Sequence, residues 1–222
     1  LSSSGVGTAI GDGVASEYIE AKSYLFSGGV DNLVASLGEL QLAYNKLTLE
    51  NVSLLDYVLQ GPGLSNLDDS VAKSNFLISI AEERKDCMAL LTPPRYAVVG
   101  VASAATVTQN ILDWAGELTS SSYAVIDSGY KYTYDRYNDS YRYLPLNGDI
   151  GGLLVNTAIN AQPWFSPAGL SRGQIRNVVK LAYNPSKAQR DALYSARVTP
   201  VVTFPGEGTI LFGDKTALGY SS

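Results

Sequence analysis

The chain has 222 residues, of which 45% are apolar and 17% are charged, which is typical of a globular protein with one large or two small domains. Its net charge of −5 gives no basic field for nucleic acid, and no apolar run reaches the roughly 18 residues of a membrane span, so we expect neither nucleic-acid binding nor membrane insertion. The chain has no histidine, which excludes Ser-His-Asp and Cys-His catalysis and histidine metal sites. The single cysteine, Cys87, excludes an intramolecular disulfide and a cysteine-cluster zinc site.

The first half of the chain predicts helices that alternate with short strands. Residues 1–23 are rich in serine and glycine, which favours a flexible segment. Apolar periodicity and turn signals then predict, in chain order, a helix at 30–43, a strand at 54–59, a helix at 67–84, a strand at 87–91, a helix at 106–118 and a strand at 123–127. Residues 96–101 are either an extra strand or a connecting segment. Because the connections are short, the pattern indicates right-handed crossovers in a mostly parallel sheet flanked by helices, the α/β class.

The helix predicted at residues 67–84 has the clearest pattern. Asp68 and Asp69 suit the positive end of its dipole. Its expected buried stripe is Ala72, Phe76, Leu77, Ile80 and Ala81, and its expected polar side is Lys73, Glu82, Glu83 and Arg84. In the helix predicted at 106–118, Thr106 and Gln109 have the spacing of a capping box, which places the start of that helix at Thr106.

Beyond residue 127 the chain becomes rich in tyrosine. Tyrosines alternate with polar residues at 130–135 and at 140–143, which predicts a β-hairpin with a tyrosine face and a charged face. The remaining pattern predicts a helix at 147–160, a fixed irregular segment at 163–169, an extended segment at 175–183, a helix at 186–197 and a second hairpin made of 201–204 and 209–212. Ser186 and Gln189 have capping-box spacing at the start of the last helix.

Residues 208–216 come close to a phosphate-binding loop. That loop requires Gly-Lys-Thr, whereas here Asp214 separates Gly213 from Lys215 and places a carboxylate where phosphate oxygens would lie. The four residues between the two glycines suit a strand better than an anion-binding loop. We therefore expect a strand that ends in a polar turn, with no nucleotide or other cofactor.

Acidic residues could support chemistry that needs no histidine. Glycoside hydrolysis uses two carboxylates, and the candidates are Asp127, Asp135, Asp139, Asp149 and Glu207. Their spacing singles out no pair, and aspartates beside Asn, Ser or Gly are common in turns. Together with tyrosine rings that could stack on sugars, they leave a carbohydrate-active enzyme or carbohydrate-binding module as the alternative function.

A series of short motifs runs through the chain from about residue 24. They are Phe-Ser-Gly-Gly-Val-Asp at 26–31, Arg-Lys-Asp-Cys at 84–87, Tyr-Ala-Val-Ile-Asp-Ser-Gly-Tyr-Lys at 123–131, Asp-Arg-Tyr-Asn at 135–138, Pro-Trp-Phe-Ser-Pro-Ala-Gly at 163–169, Lys-Leu-Ala-Tyr at 180–183, Ala-Gln-Arg-Asp at 188–191, Gly-Glu-Gly at 206–208 and Gly-Asp-Lys-Thr at 213–216. In their order and number, these motifs resemble the tail sheath proteins of contractile-tailed, T-even-type bacteriophages.

The resemblance implies a structural protein and no enzyme. Sheath subunits stack as six-fold rings around a tail tube, remain in a metastable long state, and contract to drive the tube through the host envelope for genome delivery. The implied partners are further copies of the subunit, the tail tube protein, and the baseplate and tail terminator proteins. The implied location is the tail of the virion, after assembly in the host cytoplasm.

The resemblance also implies how the chain is divided. Residues 24–170 would form the α/β core, similar to a subtilisin-like fold without its catalysis, and residues 171–222 would begin an α+β C-terminal domain. Since the terminal arms that link neighbouring sheath subunits have no counterpart in this sequence, we expect a truncated, monomeric fragment. The candidates for contacts between subunits are Tyr130, Tyr132, Tyr134, Arg136, Arg172, Arg190 and Lys215.

Overall fold

The computed structural model describes residues 28–29, 35–48 and 54–219. The chain divides into residues 1–34, of which Gly28 and Gly29 alone are described, and residues 35–222, which form one compact unit. The elements in chain order are α1 (Leu37–Tyr44), a 3-10 turn (Asn45–Leu47), β1 (Tyr57–Leu59), α2 (Leu67–Arg84), β2 (Met88–Leu91), α3 (Arg95–Val98), α4 (Ala104–Gly116), β3 (Ala124–Asp127), β4 (Tyr130–Asp135), β5 (Ser140–Pro145), α5 (Asn147–Asn160), β6 (Lys180–Leu181), α6 (Lys187–Ser195), β7 (Val198–Thr199), β8 (Val201–Phe204) and β9 (Gly208–Leu211).

A parallel sheet organises the fold, as the sequence predicted. Its four strands lie in the order β1-β2-β3-β7, and every neighbouring pair is parallel. Helices connect successive strands, with α2 between β1 and β2 and α4 between β2 and β3. A three-stranded sheet, β5-β4-β6, and the two-stranded hairpin β8-β9 complete the described strands. The α/β class is therefore confirmed.

Both faces of the parallel sheet are buried. Along β2, Ala89 and Leu91 point into the larger core, which α2 and α4 cover, whereas Leu90 points into a smaller core on the other face. The larger core includes Leu77, Ile80, Ile111, Trp114 and Ile126. The smaller one includes Leu146, Ile150, Ile175, Val201 and Leu211. Alternate residues of one strand pack into different cores, so both faces of the strand are apolar. This explains why the short strands show no alternation of apolar and polar residues.

Helix α2 has the bounds that the sequence predicted, but its buried side is wider. Lys73 and Arg84, expected on the polar side, are buried, while Ala72 and Phe76, expected in the buried stripe, are half-buried. The ammonium group of Lys73 donates to the carbonyl oxygen of Pro62 at 2.8 Å. The guanidinium of Arg84 donates to both carboxylate oxygens of Asp86 at 2.8 Å and to the carbonyl oxygen of Leu47 at 2.6 Å. Burial is tolerated because both cations keep hydrogen-bond acceptors.

Three predictions for the other helices of this half need correction or restriction. Helix α4 begins two residues earlier than predicted because Ser103, and not Thr106, is its cap and accepts a hydrogen bond from the Thr106 amide. Residues 95–98 form the short helix α3, so residues 96–101 contain no strand. Helix α1 starts at Leu37 behind a Ser36–Glu39 capping box. The first residues of the helix expected at 30–43, and the flexible segment expected at 1–23, lie outside the described residues.

Both predicted hairpins form, as β4-β5 and β8-β9, and so does the predicted helix at 147–160. Helix α6 carries the expected capping box of Ser186 and Gln189 and ends at Ser195. The segment expected to be extended at 175–183 contains the two-residue strand β6, which pairs with β4 at Lys131 and Tyr132. Residues 163–169 are irregular, as predicted.

The expected boundary at residue 170 does not separate two cores in the described chain. Strand β7 pairs with β3, so Val198 and Thr199 complete the parallel sheet that begins with β1. Leu193 and Val198 also belong to the larger core. The cause is topological, since the fourth strand of the sheet comes from the far end of the chain. That residues 171–222 begin a further domain stays a prediction.

Candidate functional site

The tyrosines of the first hairpin pack on one another. Tyr132 lies opposite Tyr143 and Tyr134 lies opposite Tyr141 across the β4-β5 pair. The ring centroid of Tyr132 lies 4.7 Å from that of Tyr143 and 5.4 Å from that of Tyr141, and the centroids of Tyr134 and Tyr141 are 5.2 Å apart. The ammonium nitrogen of Lys180 lies 5.2 Å from the Tyr132 centroid. These four tyrosines form a partly exposed aromatic surface, which we call the tyrosine cluster.

The opposite face of this hairpin, predicted to be charged, is buried only along β4, because Arg142 and Leu144 of β5 remain exposed. Lys131 and Thr133 are both buried. The Lys131 ammonium donates to Asp149 of α5 at 2.7 Å and to the carbonyl oxygen of Arg176 at 3.2 Å. The burial of Lys131 has a tertiary cause, because α5 and the segment before β6 supply its acceptors.

Tyr130 is set apart from the tyrosine cluster. Its side chain is buried in the larger core, so it offers no contact surface in this structure. Burial, followed by the nearby Asp127 carboxyl, raises the pKa of the Tyr130 hydroxyl. Tyr130, Tyr132 and Tyr134 lie on one face of β4, and their exposure increases from the buried Tyr130 towards the tip of the hairpin.

The tip of the hairpin is tied by side-chain hydrogen bonds. Asp135 accepts from the backbone amide of Tyr137 at 3.0 Å and from the side-chain amide of Asn138 at 2.7 Å. The Tyr134 hydroxyl donates to Asp139 at 2.6 Å. Arg136 lies over the Tyr137 ring, with its guanidinium carbon 4.9 Å from the centroid. Because these bonds fix the turn, the aromatic and cationic groups at the tip are held in place.

A second surface carries cations on aromatic rings beside β7. The guanidinium carbon of Arg190 lies 5.5 Å from the Phe204 centroid and 5.9 Å from the Phe212 centroid. The Lys215 ammonium lies 3.8 Å from the centroid of Tyr194. Arg190, Tyr194 and Phe212 line a groove of about 530 Å³, which we call the Arg190 groove. Two of the predicted contact residues, Arg190 and Lys215, thus meet at one surface.

Arg172 lies at the border of the Arg190 groove. Its guanidinium carbon is 5.4 Å from the Phe165 centroid, and its Nε donates to the carbonyl oxygen of Ser166 at 2.9 Å. Ser166 is one of the groove residues. Arg172 therefore braces the irregular segment that begins at Pro163.

Asp127, a candidate catalytic acid, lies in a buried polar network at the carboxyl end of the parallel sheet. Its side chain is 0% exposed. One carboxylate oxygen accepts from the Gly129 amide at 2.8 Å, and the other accepts from the Thr92 hydroxyl. The Thr92 oxygen in turn accepts from the Asn147 amide at 3.2 Å. Burial raises the pKa of Asp127 well above its usual range, and the two donors offset part of this effect.

The hydrogen bonds of this network connect separate elements of the fold. It joins Thr92 after β2 and Asp127 at the end of β3 to the first residue of α5. Gln60 extends it to β1, because its side-chain carbonyl accepts from the Thr92 amide at 3.1 Å. A fully buried carboxyl cannot reach a sugar at the surface, so Asp127 does not act as a glycosidase acid here.

Each of the other candidate carboxylates either bonds to neighbouring residues of the fold or lies exposed in a turn. Asp135 and Asp139 hold the hairpin tip, Asp149 pairs with Lys131, and Glu207 lies exposed in the β8-β9 turn. Within residues 35–48 and 54–219, no group of three or more His, Cys, Asp or Glu could hold a metal ion. In the same residues, no helix is long and apolar enough to cross a membrane. Residues 208–216 form β9 and an irregular turn, as expected, with the Lys215 ammonium bonded to the Tyr194 carbonyl at 3.1 Å.

A known family shares this α/β core. The family model described as "Phage tail sheath protein central domain" matches residues 65–217, which is more than half of the chain. The chain belongs to the phage tail sheath protein family. The matched region runs from the start of α2 to the end of the turn after β9, and so includes the tyrosine cluster and the Arg190 groove.

Curated sheath proteins are similar over most of this chain. The tail sheath protein of Enterobacteria phage T4 is 39% identical over 207 residues, which is 88% of this chain and 31% of the relative. That of Vibrio phage KVP40 is 36% identical over 230 residues, 97% of this chain and 34% of the relative. That of Salmonella phage ViI is 33% identical over 151 residues, 68% of this chain and 24% of the relative. The chain thus spans about a third or less of the length of these sheath proteins.

Solved structures of contractile systems share the fold. The helical sheath of the anti-feeding prophage in its contracted state gives a TM-score of 0.52 at 15% identity and covers 73% of this chain and 39% of that chain. The baseplate of the same prophage, 6-fold symmetrised, gives 0.50 at 13% identity and covers 69% and 36%. At these identities the likeness concerns the fold. Neither these structures nor the sheath relatives support the carbohydrate alternative.

Sequence reasoning missed several residues that build the two surfaces. The Lys180 ammonium lies over the Tyr132 ring, and the Arg190 guanidinium lies over the rings of Phe204 and Phe212. In each pair the two residues are distant in sequence. Tyr194 had a weak local signal, because it follows Arg190 by one helical turn. The structure assembles the predicted residues into two groups, the hairpin with Arg136 and the Arg190 groove with Arg172 and Lys215.

Proposed function

We propose that this chain is the α/β part of a structural subunit in the contractile tail sheath of a bacteriophage. In this role it polymerises around the tail tube as stacked six-fold rings and contracts to drive the tube through the host envelope. The observation that carries the proposal is the match of the sheath central-domain model to residues 65–217. The fold likeness to a contracted helical sheath supports it.

The physical requirement for such a machine is two packings of the same subunit. Contraction without nucleotide releases energy only if the contracted packing has the lower free energy. Subunits that move as nearly rigid bodies transmit this energy best. The Asp127 network supports rigidity, because it locks the ends of β1, β2 and β3 to α5.

Contacts between subunits in this proposal use the two aromatic surfaces. On the hairpin they are made by Tyr132, Tyr134 and Arg136, with Tyr130 supporting the strand from the core. Beside β7 they are made by Arg172, Arg190 and Lys215. Aromatic rings and guanidinium groups supply large contact area together with hydrogen-bond donors, which suits interfaces that break and re-form.

The proposal extends to parts of the role that concern the complete protein. The partners are further copies, the tail tube protein, and the baseplate and tail terminator proteins. The location is the virion tail, following assembly in the host cytoplasm. The core corresponds to the subtilisin-like domain of sheath proteins without enzymatic activity, and residues 171–222 lead into a C-terminal domain.

Electron microscopy of the protein expressed from its complete gene tests this function. We expect striated tubes or stacked rings, either alone or around purified tail tubes. Protein that remains monomeric under both conditions would contradict the proposal. A glycan-binding screen of the same protein tests the alternative, a carbohydrate-active enzyme or carbohydrate-binding module. A specific sugar ligand would favour that alternative.

A further inference from the structure

Tyr134 and Tyr141 are the outer pair of the tyrosine cluster. They lie opposite each other on β4 and β5, and their ring centroids are 5.2 Å apart. Tyr134 is 47% exposed and Tyr141 is 53% exposed. Two phenol rings that one hairpin holds in contact, and that small molecules can reach, are positioned to react with each other.

The hydroxyl group of Tyr134 has a proton acceptor. It donates a hydrogen bond to the Asp139 carboxylate at 2.6 Å. This bond raises the pKa of the Tyr134 hydroxyl, so the group remains a phenol at neutral pH. A phenol that loses an electron becomes a strong acid, and a carboxylate within hydrogen-bond distance can then take its proton directly. Asp139 therefore assists one-electron oxidation of Tyr134, because no positively charged radical has to form.

Two neighbouring tyrosines have the opposite electrostatic surroundings. The Lys180 ammonium lies 5.2 Å from the centroid of Tyr132. The Arg136 guanidinium lies 4.9 Å from the centroid of Tyr137 and donates to its hydroxyl oxygen at 2.8 Å. A positive charge beside a ring opposes the removal of an electron from that ring, whereas a negative charge favours it. Of these three tyrosines, Tyr134 is thus the one that loses an electron most easily.

We propose that Tyr134 and Tyr141 are a site of oxidative cross-linking, which a one-electron oxidant converts to dityrosine. Tyr134 gives an electron to the oxidant and its hydroxyl proton to Asp139. Tyr141 gives an electron to a second equivalent of the oxidant and its hydroxyl proton to water. The two phenoxyl radicals couple through ring carbons next to the oxygen-bearing carbons, which forms one carbon–carbon bond. The hydrogen on each of these carbons then moves to the oxygen of its own ring, so both phenols are restored and the chain has lost two electrons and two protons.

The cross-link closes the first hairpin covalently. It joins β4 to β5 at a directly opposed pair of residues, so the two strands remain linked even in the unfolded chain. The inference does not depend on the proposed sheath function, because every reacting group belongs to one hairpin of one chain. The failure of either proposal therefore leaves the other intact.

Photo-oxidation of the protein expressed from its complete gene tests the site. Photo-excited ruthenium tris(bipyridyl) with persulfate supplies the one-electron oxidant, and brief illumination limits the reaction to the most reactive tyrosines. After denaturation, trypsin cuts after Lys131, Arg136 and Arg142, which places Tyr134 and Tyr141 on the separate peptides 132–136 and 137–142.

We expect these two peptides to be joined, with a mass two hydrogens below their sum. Fragmentation of the joined peptides should place the link between Tyr134 and Tyr141. Absence of the joined peptides, or a link that runs through Tyr132 or Tyr137 instead, would overturn the inference.

A matched tyrosine shows whether exposure alone decides the reaction. Tyr96 is 44% exposed, close to the value for Tyr134, and within residues 54–219 no other aromatic ring stacks on it. Tyr134→Phe should abolish the link between the two peptides, whereas Tyr96→Phe should leave its yield unchanged. Dityrosine that forms as readily at Tyr96 as at Tyr134 would refute the inference.

Asp139→Asn tests the proton acceptor without disturbing the turn. Asp139 has a left-handed backbone, with φ at 47°, which asparagine also adopts, so we expect an unchanged Tm. An amide can accept the hydrogen bond but cannot take the proton. We expect the initial rate of cross-linking to fall by at least about tenfold, since a positioned base contributes roughly 10²–10⁴-fold to a proton transfer and water replaces it in part.

Chemical rescue distinguishes a proton acceptor from a structural role. Phosphate buffer is an external base, so raising its concentration should accelerate cross-linking in Asp139→Asn and have little effect on the wild-type protein. An unchanged rate in Asp139→Asn, or a lowered rate that phosphate does not restore, would contradict the assignment of Asp139 as the acceptor.

Discussion

The carboxyl end of the parallel sheet and the tip of the first hairpin use aspartate in the same local way with opposite electrostatic results. Asp127 ends β3 and Asp135 ends β4, and each accepts a hydrogen bond from the backbone amide two residues later. Burial raises the pKa of Asp127. By contrast, the hydrogen bond from the Asn138 side chain, with help from backbone amides, lowers the pKa of Asp135.

The difference lies in the surroundings and not in the turn. Asp127 is enclosed by residues after β2, in α5 and in the turn before β4, and its side chain has no exposed surface. Asp135 remains in contact with solvent and lies 3.1 Å from the Arg142 guanidinium. The same hydrogen bond from a backbone amide thus holds buried elements together at Asp127, whereas at Asp135 it stabilises a solvent-exposed turn.

The largest expected effect comes from removing the buried carboxyl. Asp127→Ala leaves the Gly129 amide and the Thr92 hydroxyl without their acceptor in a buried site, so we expect a loss of about 2–3 kcal/mol in the free energy of unfolding. Urea denaturation monitored by tryptophan fluorescence measures this loss. Asp135→Ala is the matched control and should produce a much smaller change. Equal losses in the two variants would invalidate the comparison.

The tyrosine cluster should rank next. Tyr132→Ala removes ring contacts with Tyr141 and Tyr143, and aromatic pairs contribute about 0.5–1.5 kcal/mol each, so we expect a loss of about 1–2 kcal/mol. Tyr132→Phe keeps the rings and should be close to neutral in the same denaturation experiment. If Phe were as damaging as Ala, the stabilisation would come from the hydroxyl group and not from ring packing.

A change in pH dependence should follow from Asp127→Asn. Because the folded pKa of Asp127 is raised, the wild-type protein loses stability as the pH rises from about 4 through that pKa. Asparagine does not titrate, so the stability of Asp127→Asn relative to wild type should increase over this interval. Asp149, whose pKa is also raised by burial, titrates in both proteins. Denaturation at pH 4.5 and pH 8 tests the sign, and a constant difference would show that Asp127 does not titrate in this range.

The smallest effect is expected at the hairpin tip, with the opposite sign. The folded pKa of Asp135 is lowered, so its stabilising contribution is present above the ordinary carboxyl pKa and is lost as the pH falls through the lowered value. The stability of Asp135→Asn relative to wild type should therefore decrease as the pH rises from about 3 to about 5. Thermal melts across this interval suffice. A relative increase would mean that both aspartates obey the same rule.

Sequence predicted the parts of the fold that depend on local signals. Helix α2 was predicted with its exact bounds because Asp68 and Asp69 mark its start and its apolar periodicity is strong. The parallel sheet followed from alternating elements. The capping box at Ser186 was visible in four residues. Each of these depends on neighbours within a few positions in the chain.

The errors concern burial by distant segments. Lys73 and Arg84 look like polar surface residues until Pro62 and Leu47 supply carbonyl acceptors. On the charged face of the first hairpin, Lys131 is buried because α5 brings Asp149 to it. Asp127 was a catalytic candidate for the same reason, because the residues next to it in sequence do not indicate that α5 buries it. Of the candidate contact surfaces, the tyrosine alternation was visible, but the stacking of Arg190 on Phe204 and Phe212 was not.

The position of β7 has a consequence for synthesis of the chain. The parallel sheet lacks its fourth strand until Val198 emerges from the ribosome and pairs with Ile126, after the first hairpin, α5 and α6 have all been made. Pairing between residues so far apart in sequence requires closure of the intervening loop before the contact stabilises the sheet, so we expect it to come late in folding. The larger core, which contains Leu193 and Val198, therefore closes late as well. A nascent chain that stops short of β7 therefore has both an incomplete parallel sheet and an incomplete larger core.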